Sequence, residues 1–303
     1  MDSQTFTTRT IFWQKRAYKQ AFHANEVGKP YFEIAPVCAV NELYPEMEKE
    51  WHVHDFYSIQ WFHAGGGKHG VDFNSYPIED GMMFFVAPEQ FHCLRNMEGQ
   101  EGVAIAFSKD FILPNDNFYP FLRFEFFNRY NKEPFCRIPK EHKSVFDELV
   151  NVMMKEHTMH QDSYAHYECQ KLLLALFLFQ TRRYGVWNDA TEPDIKNPGY
   201  MLYMSFLNEL ENNMRSAHKV GQYAAMLNVS EKSLALCIKK YANTTPKAFI
   251  SERLALEAKR ILRYTQTSVK ETAMRLGFED ESNFTKFFKH QVGMLPQDFR
   301  SVE

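Results

Sequence analysis

The sequence predicts an α+β chain of more than one domain. A β-rich N-terminal barrel or sandwich with packing helices comes first, followed by an all-α C-terminal domain with two helix-turn-helix units joined by a long helix. Three observations predict this. Short apolar runs separated by Gly and Pro fill the chain up to about residue 110. The apolar period then changes to that of a helix. The last third matches itself at a shift of 50 residues.

In the first region, Tyr57-Ser58-Ile59-Gln60-Trp61-Phe62 runs into the turn Gly65-Gly66-Gly67, and Asp80-Gly81 precedes the apolar run Met82 to Val86. Val103, Ile105 and Phe107 alternate with Ala104 and Ala106. Strands this closely spaced imply an all-β sandwich or barrel. Helical spacing follows in Val145, Leu149, Val152 and Met153, then in Leu172, Leu173, Leu176, Phe177 and Gln180. Two helices, around 141–157 and 162–184, should pack against the barrel. Both carry more apolar surface than one contact face needs, so they are either deeply buried or shared with a partner. A homodimer contact is the favoured expectation. Gly185 to Gly199 contains Asn188, Asp189, Pro193, Asn197 and Pro198, the chemistry of a linker.

In the repeat, Leu234 pairs with Phe284, Ile238 with Phe288, Lys239 with Lys289, Asn243 with Gly293, Pro246 with Pro296 and Phe249 with Phe299. Slightly upstream the shift is 49, pairing Val220 with Val269, Ala224 with Ala273 and Leu227 with Leu276. Each copy has the same physical grammar. Val220, Tyr223, Ala224 and Leu227 form the buried stripe of a short helix. Asn228 suits a left-handed turn, and Ser230 suits the N-cap of the next helix. That helix buries Leu234, Cys237, Ile238 and Tyr241, and Pro246 forbids its continuation. In the second copy Ser268 and Glu271 make a capping box, Gly277 supplies the turn, and Asp280 caps a helix that buries Phe284, Phe287 and Phe288. Between the copies, Ile250 to Leu262 reads as a stiff helix with Leu254, Ala258, Ile261 and Leu262 inward. Two such units could enter successive major-groove segments about 34 Å apart. Plain helical bundles share this geometry, but charge favours a polyanion. From Arg215 to Glu303 there are 15 Lys and Arg against 9 Asp and Glu, a net +6, while the remainder carries −9.

Five cysteines, none in C-x-x-C spacing, argue against a disulfide framework or zinc knuckle and fit a reducing cytosol. The basic start has no apolar core behind it, and the longest apolar run, Leu172 to Phe179, is far short of a membrane span. A soluble, cytoplasmic protein is expected.

Residues 215–302 resemble the DNA-binding domain of the AraC/XylS family. Ala273-x-x-x-Gly277-Phe278, Ser282-x-Phe284-x-x-x-Phe288-Lys289 and Gly293-x-x-Pro296-x-x-Phe299-Arg300 carry the likeness. Arg253-Leu254 with Ala258-Lys259-x-Ile261-Leu262 resembles its linker helix. The resemblance implies duplex DNA and RNA polymerase as partners. The expected contacts in the second unit are Glu281, Ser282, Asn283, Thr285, Lys286 and Lys289. Asn283 suits adenine, Lys286 guanine or phosphate, and Lys289 phosphate. In the first unit Lys232, Ser233 and Lys239 are expected. Ala235 and Leu236 stand where relatives carry polar or basic readers, so this unit should mainly dock on the backbone.

Residues 30–110 resemble the cupin class of small β-barrels, through His52-x-His54-Asp55-Phe56, Asp80-Gly81-x5-Ala87-Pro88 and His92. Catalytic cupins add a glutamate to such histidines, but Ser58 and Ile59 stand where it would fall. The imidazoles suit either a metal or hydrogen bonds at a barrel mouth, and the missing carboxylate weighs against the metal. No metal and no cofactor are expected. A small-molecule effector pocket is expected from His54, Phe56, Trp61, Phe85, Phe91 and His92. The resulting organisation is an arm at 1–29, a cupin-like sensor and dimerisation domain at 30–184, a linker at 185–199 and a double helix-turn-helix domain at 200–303. The reading is a ligand-responsive, dimeric transcription regulator rather than an enzyme. Its competitors are a cupin-type metalloenzyme with a fused helical domain, and a regulator with an empty barrel controlled by a protein partner.

Overall fold

The computed structural model describes residues 18–20, 31–43, 50–96, 99–108, 111, 125–127, 133–159, 163–188 and 196–301. Most of the expected arm and the middle of the expected linker lie outside the described residues. The N-terminal domain contains β1 (Tyr18–Gln20), β2 (Phe32–Pro36), α1 (Val37–Leu43), β3 (His52–His54), β4 (Tyr57–Ala64), β5 (Lys68–Val71), β6 (Asn74–Pro77), β7 (Met82–Val86), β8 (His92–Arg95), β9 (Glu101–Phe107) and β10 (Phe135–Arg137). Two five-stranded sheets result, in the orders β1-β3-β8-β5-β6 and β10-β7-β4-β9-β2. Every pairing is antiparallel except that of β1 with β3.

The second sheet is covered on both faces, so the apolar run of β4 is continuous rather than alternating. One face carries Ile59, Trp61, Met83, Phe85, Ile105 and Phe107. It packs under two antiparallel helices, α2 (Lys143–Met159) and α3 (His166–Tyr184), through Phe146, Val150 and Met153 of α2 and Leu174, Phe177 and Leu178 of α3. Each fully buried side chain of this size contributes roughly 1.5–3 kcal/mol. The other face turns into the sandwich, where Phe62, Met82 and Phe84 meet Val37, Ile78 and Leu94. Outside this core the helices leave apolar side chains in solvent. Val152 of α2, and Leu172 and Leu176 one turn apart on α3, are exposed.

The expected linker begins later than its composition suggests. Val186 bridges to Arg137, and the Trp187 ring stacks 5.5 Å from Phe85, so both belong to the sandwich. The next helix, α4 (Pro198–Asn213), starts inside the same stretch because Asn197 caps it, accepting a hydrogen bond from the Gly199 amide at 2.9 Å.

The C-terminal domain continues with α5 (Val220–Met226), α6 (Glu231–Ala242), α7 (Pro246–Tyr264), α8 (Val269–Arg275), α9 (Glu281–Val292) and α10 (Pro296–Ser301). The rod α7 serves two cores. Phe249 and Ile250 join Tyr223, Ala224, Leu234 and Ile238 of the first unit. Leu254, Ala258, Ile261 and Leu262 join Ala273, Leu276, Phe284 and Phe288 of the second.

The two domains meet along α7. The Asp72 carboxylate accepts two hydrogen bonds from Arg260, at 2.7 and 2.8 Å, and one from Gln90 Nε2 at 2.9 Å. The Tyr264 hydroxyl donates to the Asp72 carbonyl at 2.6 Å. The Tyr264 ring stacks on Phe91 at 4.1 Å and lies 5.2 Å from Trp51 and 5.7 Å from Phe73.

Two glycines of the second unit share a left-handed backbone in different surroundings. Gly277 has φ 76, and a Cβ there would lie 2.2 Å from the Arg215 carbonyl oxygen. Gly293 has φ 85 and open space around it. Gly293→Ala should therefore cost about 1 kcal/mol, the conformational penalty alone. Gly277→Ala should cost more, roughly 2–3 kcal/mol, because backbone must also move. Chemical denaturation of the two variants checks the order; equal losses would mean the turn relaxes freely.

Candidate nucleic-acid interface and histidine cluster

Each helix-turn-helix unit is set by local chemistry. In the first, Asn228 takes the left-handed turn at φ 54, and Ser230 Oγ accepts from the Ser233 amide at 3.1 Å to start α6. Asn243, at φ 52, ends it. In the second, Ser268 and Glu271 form the reciprocal capping box, Gly277 makes the turn, and Asp280 accepts from the Asn283 amide at 2.7 Å. Leu234 and Ile238, and likewise Phe284 and Phe288, bury the inner face of each second helix.

The outer faces carry the anticipated residues. Lys232, Ser233 and Lys239 are exposed on α6; Glu281, Ser282, Asn283, Lys286 and Lys289 are exposed on α9, with Thr285 half-buried. Several are already engaged within their own helix. The Ser230 and Ser233 hydroxyls lie 2.8 Å apart, and Lys239 Nζ lies 3.1 Å from Asn243 Oδ1. Asn283 Nδ2 donates to Asp280 at 2.9 Å. Asn283 therefore has to exchange this bond to reach a base edge. Between the tied groups of α6, Leu236 is 66% exposed.

The sandwich interior is unusually polar. His52, His54, His69 and His92 are all buried. Ring centroids of His52 and His92 lie 4.1 Å apart, His54 and His92 4.8 Å, and His69 and His92 5.5 Å. Strand parity explains this. His52 and His54 share the inner face of β3, and β3 pairs with β8 at His52 and His92. Among the described residues, His54 Nε2, His69 Nδ1, His92 Nε2 and Gln60 Oε1 are buried without a hydrogen-bond partner. A folded chain keeps few such groups, so this cluster needs an explanation.

Of the residues anticipated for the pocket, the fold brings together His54, Phe56 and His92; the Phe56 ring stacks on His54 at 4.0 Å. Trp61, Phe85 and Phe91 do not join them. Trp61 and Phe85 have the opposite parity to Gln60 and Phe84, so they face the helices, with Trp61 5.6 Å from Phe146. Phe91 faces outward onto Tyr264. Sequence reasoning missed His69 and Gln60, which take part of their place. Gln60 lay between Ile59 and Trp61, and a parity reading would have put it opposite them. A cleft of 480 Å³ between the domains, lined by Asp72, Phe73, Gln90, Glu211, Arg253 and Arg260, is a less suitable pocket. Its charges pair with one another.

The histidines are partnered with one another and with backbone. Among the described residues no carboxylate joins them, His69 Nε2 and His92 Nδ1 lie 3.2 Å apart as hydrogen-bond partners, and His54 Nδ1 is 2.7 Å from the Phe56 carbonyl. Among the described residues, no group of three or more His, Cys, Asp or Glu could hold a metal ion. The cluster suits a polar, uncharged or hydrogen-bonding guest instead.

Burial, with the neighbouring histidines adding to it, drives His54 and His69 down to about 3. His92 lies well below its ordinary value and His52 is lowered, again chiefly by burial. All four are neutral in the fold at pH 7. In the unfolded chain they protonate near 6.5. Below that pH the unfolded state binds more protons, so stability falls as pH falls towards the folded values. The loss should approach roughly 1.4 kcal/mol per pH unit for each histidine that stays neutral. Denaturation at pH 7.5 and 5.5 measures this, and a flat profile would show that the cluster already admits a proton.

Comparison with known proteins agrees with both halves. An AraC-like ligand binding domain model matches residues 35–109, and a helix-turn-helix domain model matches residues 223–301. The chain is 25% identical over 278 residues to the HTH-type transcriptional activator RhaS of Salmonella paratyphi A, covering 88% of this chain and 92% of that one. It is 22% identical over 262 residues to the HTH-type transcriptional activator RhaR of Enterobacter sp. (strain 638), covering 86% and 90%. Among solved structures, ToxT from Vibrio cholerae O395 is 14% identical with a TM-score of 0.40, covering 89% of this chain and 96% of that one. Among the described residues no helix is long and apolar enough to cross a membrane. A ligand-binding domain followed by a duplicated DNA-binding unit makes a transcription regulator and not an enzyme, and the chain belongs to the AraC family.

Proposed function

We propose that this chain is a cytoplasmic, dimeric, ligand-responsive regulator that reads duplex DNA with α9, holds it with α6 and acts through RNA polymerase. The observation that carries the DNA reading is the doubled unit on one rod. Two capped helices present exposed lysines, Lys232 and Lys239 on one and Lys286 and Lys289 on the other. Residues 30–184 serve as sensor and dimerisation domain, and 200–303 as the DNA-binding domain. The ligand reading rests on the unpartnered polar atoms inside the sandwich. A small polar molecule that hydrogen-bonds His54, His69, His92 and Gln60 would satisfy them. The dimer reading rests on the exposed Leu172 and Leu176 of α3, with Val152 of α2 also in solvent.

A response requires that the ligand bind one domain arrangement better than another. The route available is short. Val53 lies between His52 and His54, and Phe91 precedes His92; both pack on Tyr264 of the rod. A guest that shifts β3 or β8 moves the socket of Tyr264.

In a site selection from random duplexes, Lys286→Ala should relax the preference at one base position, at a cost of about 1–3 kcal/mol there. Lys239→Ala should weaken all duplexes alike and lower the salt slope by about one. An unchanged base preference in Lys286→Ala would remove that residue from the readers.

Leu172→Glu puts a charge on the exposed stripe of α3. Sedimentation should show dimer for the parent and monomer for the variant, with the same thermal midpoint. A parent that sediments as monomer at tens of micromolar overturns the dimer reading.

A further inference from the structure

The first recognition helix presents carbon where its twin presents nitrogen and oxygen. At the shift of 50 residues, Ala235 and Leu236 of α6 stand where Thr285 and Lys286 stand on α9. Leu236 is 66% exposed and Ala235 half-buried. A single exposed leucine is ordinary on a protein surface. This one occupies the register of a proposed base-reading position and is bracketed by two exposed cations, Lys232 and Lys239. The polar side chains beside it are committed elsewhere. The Ser233 hydroxyl is held at 2.8 Å by Ser230, and Lys239 Nζ is held at 3.1 Å by Asn243 at the helix end. The central outward turn of α6 is thus apolar.

The major groove offers one apolar group with sequence information, the C5 methyl of thymine. We propose that α6 reads its half-site through thymine methyl groups, with Leu236 as the principal reading side chain and Ala235 beside it. This inference rests on the DNA-binding reading above and gives the first unit a discriminating role instead of backbone docking alone. The two units then use different chemistry. The α9 face exchanges hydrogen bonds with base edges, while the α6 face removes methyl and isobutyl surface from water. The second mode is insensitive to donor and acceptor pattern, but it is lost when a methyl is absent. Burying one methyl-sized group corresponds to about fourfold in affinity.

The test uses the full chain and the duplex returned by site selection, with each thymine replaced singly by deoxyuridine. That exchange deletes the methyl and leaves base pairing and every groove donor and acceptor in place. One or more thymines should lose about fourfold in affinity. Leu236→Ser should lose a similar factor on the parent duplex and become indifferent to deoxyuridine at those positions. Lys286→Ala should keep the deoxyuridine effect. Leu236 is exposed, so the variant should fold, and an unchanged thermal midpoint confirms this. If the duplex is bound but no deoxyuridine changes affinity, the methyl inference falls and DNA binding stands. If Leu236→Ser binds the parent duplex as tightly as the unaltered chain yet fails to stimulate transcription with polymerase, Leu236 meets protein rather than DNA, and the inference also falls. If selection returns no duplex at all, the DNA-binding reading falls and this inference with it.

Discussion

The rod of the C-terminal half is oriented on the N-terminal half by a carboxylate, that of Asp72. Asp72 sits in the tight turn between β5 and β6, at φ 53, a left-handed backbone that aspartate tolerates better than most residues. Its side chain takes both arms of the Arg260 guanidinium, and its carbonyl takes the Tyr264 hydroxyl. All of these groups lie 188 or more residues away in sequence. Without the pair, Arg260 would be a cation buried against a second domain, with Glu257 at 3.5 Å as its remaining carboxylate among the described residues. Removing one partner of a buried pair is costly, roughly 3–5 kcal/mol, while the net worth of the intact pair is small. Such a contact specifies an arrangement more than it stabilises one.

The same logic runs down the rod. Arg253 donates two hydrogen bonds to Glu211 of α4, at 2.6 and 2.8 Å, and lies 3.2 Å from Glu257. Burial alone would raise the Glu257 carboxyl, but Arg253, Arg260 and Arg215 around it hold it down to about 2. The three guanidiniums therefore favour the ionised Glu257 carboxylate. It links the charge that fastens α7 to its own domain with the charge that fastens it to the sandwich. The rod is oriented from both sides through one continuous set of side chains.

How much of this was legible follows from where the signals lie. The helix-turn-helix repeat was readable because its turns and ends are written in Asn228, Gly277, Asn243 and Gly293, and all four take the left-handed backbone. The sandwich was readable as strands but not by face. In β4 six consecutive residues are buried, so hydropathy could not tell the helix-covered face of Trp61 from the interior face of Gln60. Phe91 and His92 are adjacent in an extended segment and so must point to opposite sides, a constraint that parity alone supplies. The composition of Gly185 to Gly199 marked a linker, yet Trp187 packs on Phe85, because a large aromatic beside an open sheet buries itself whatever its neighbours. Asp72 and Arg260 carried no sequence signal. Each is an ordinary surface residue until the domains meet.

The placement of the histidines opposite Tyr264 gives the proposed sensor a short lever. A β-strand is a two-faced object: a displacement of its inner side chains is also a displacement of its outer ones, since the backbone between them is stiff. His52, His54 and His92 face the sandwich interior, while Val53 and Phe91, their chain neighbours, face the rod. In the proposed function, a guest seated against these histidines would act on the socket of Tyr264 through a single peptide thickness. The Tyr264 hydroxyl and the Arg260 guanidinium both depend on the same turn at Asp72, so a small shift there breaks several directional bonds together rather than stretching one. Packed interfaces with this property have discrete arrangements rather than a continuum of them. In the proposed function, the ligand needs only to favour one of those arrangements, and the rod carries the choice to both recognition helices at once.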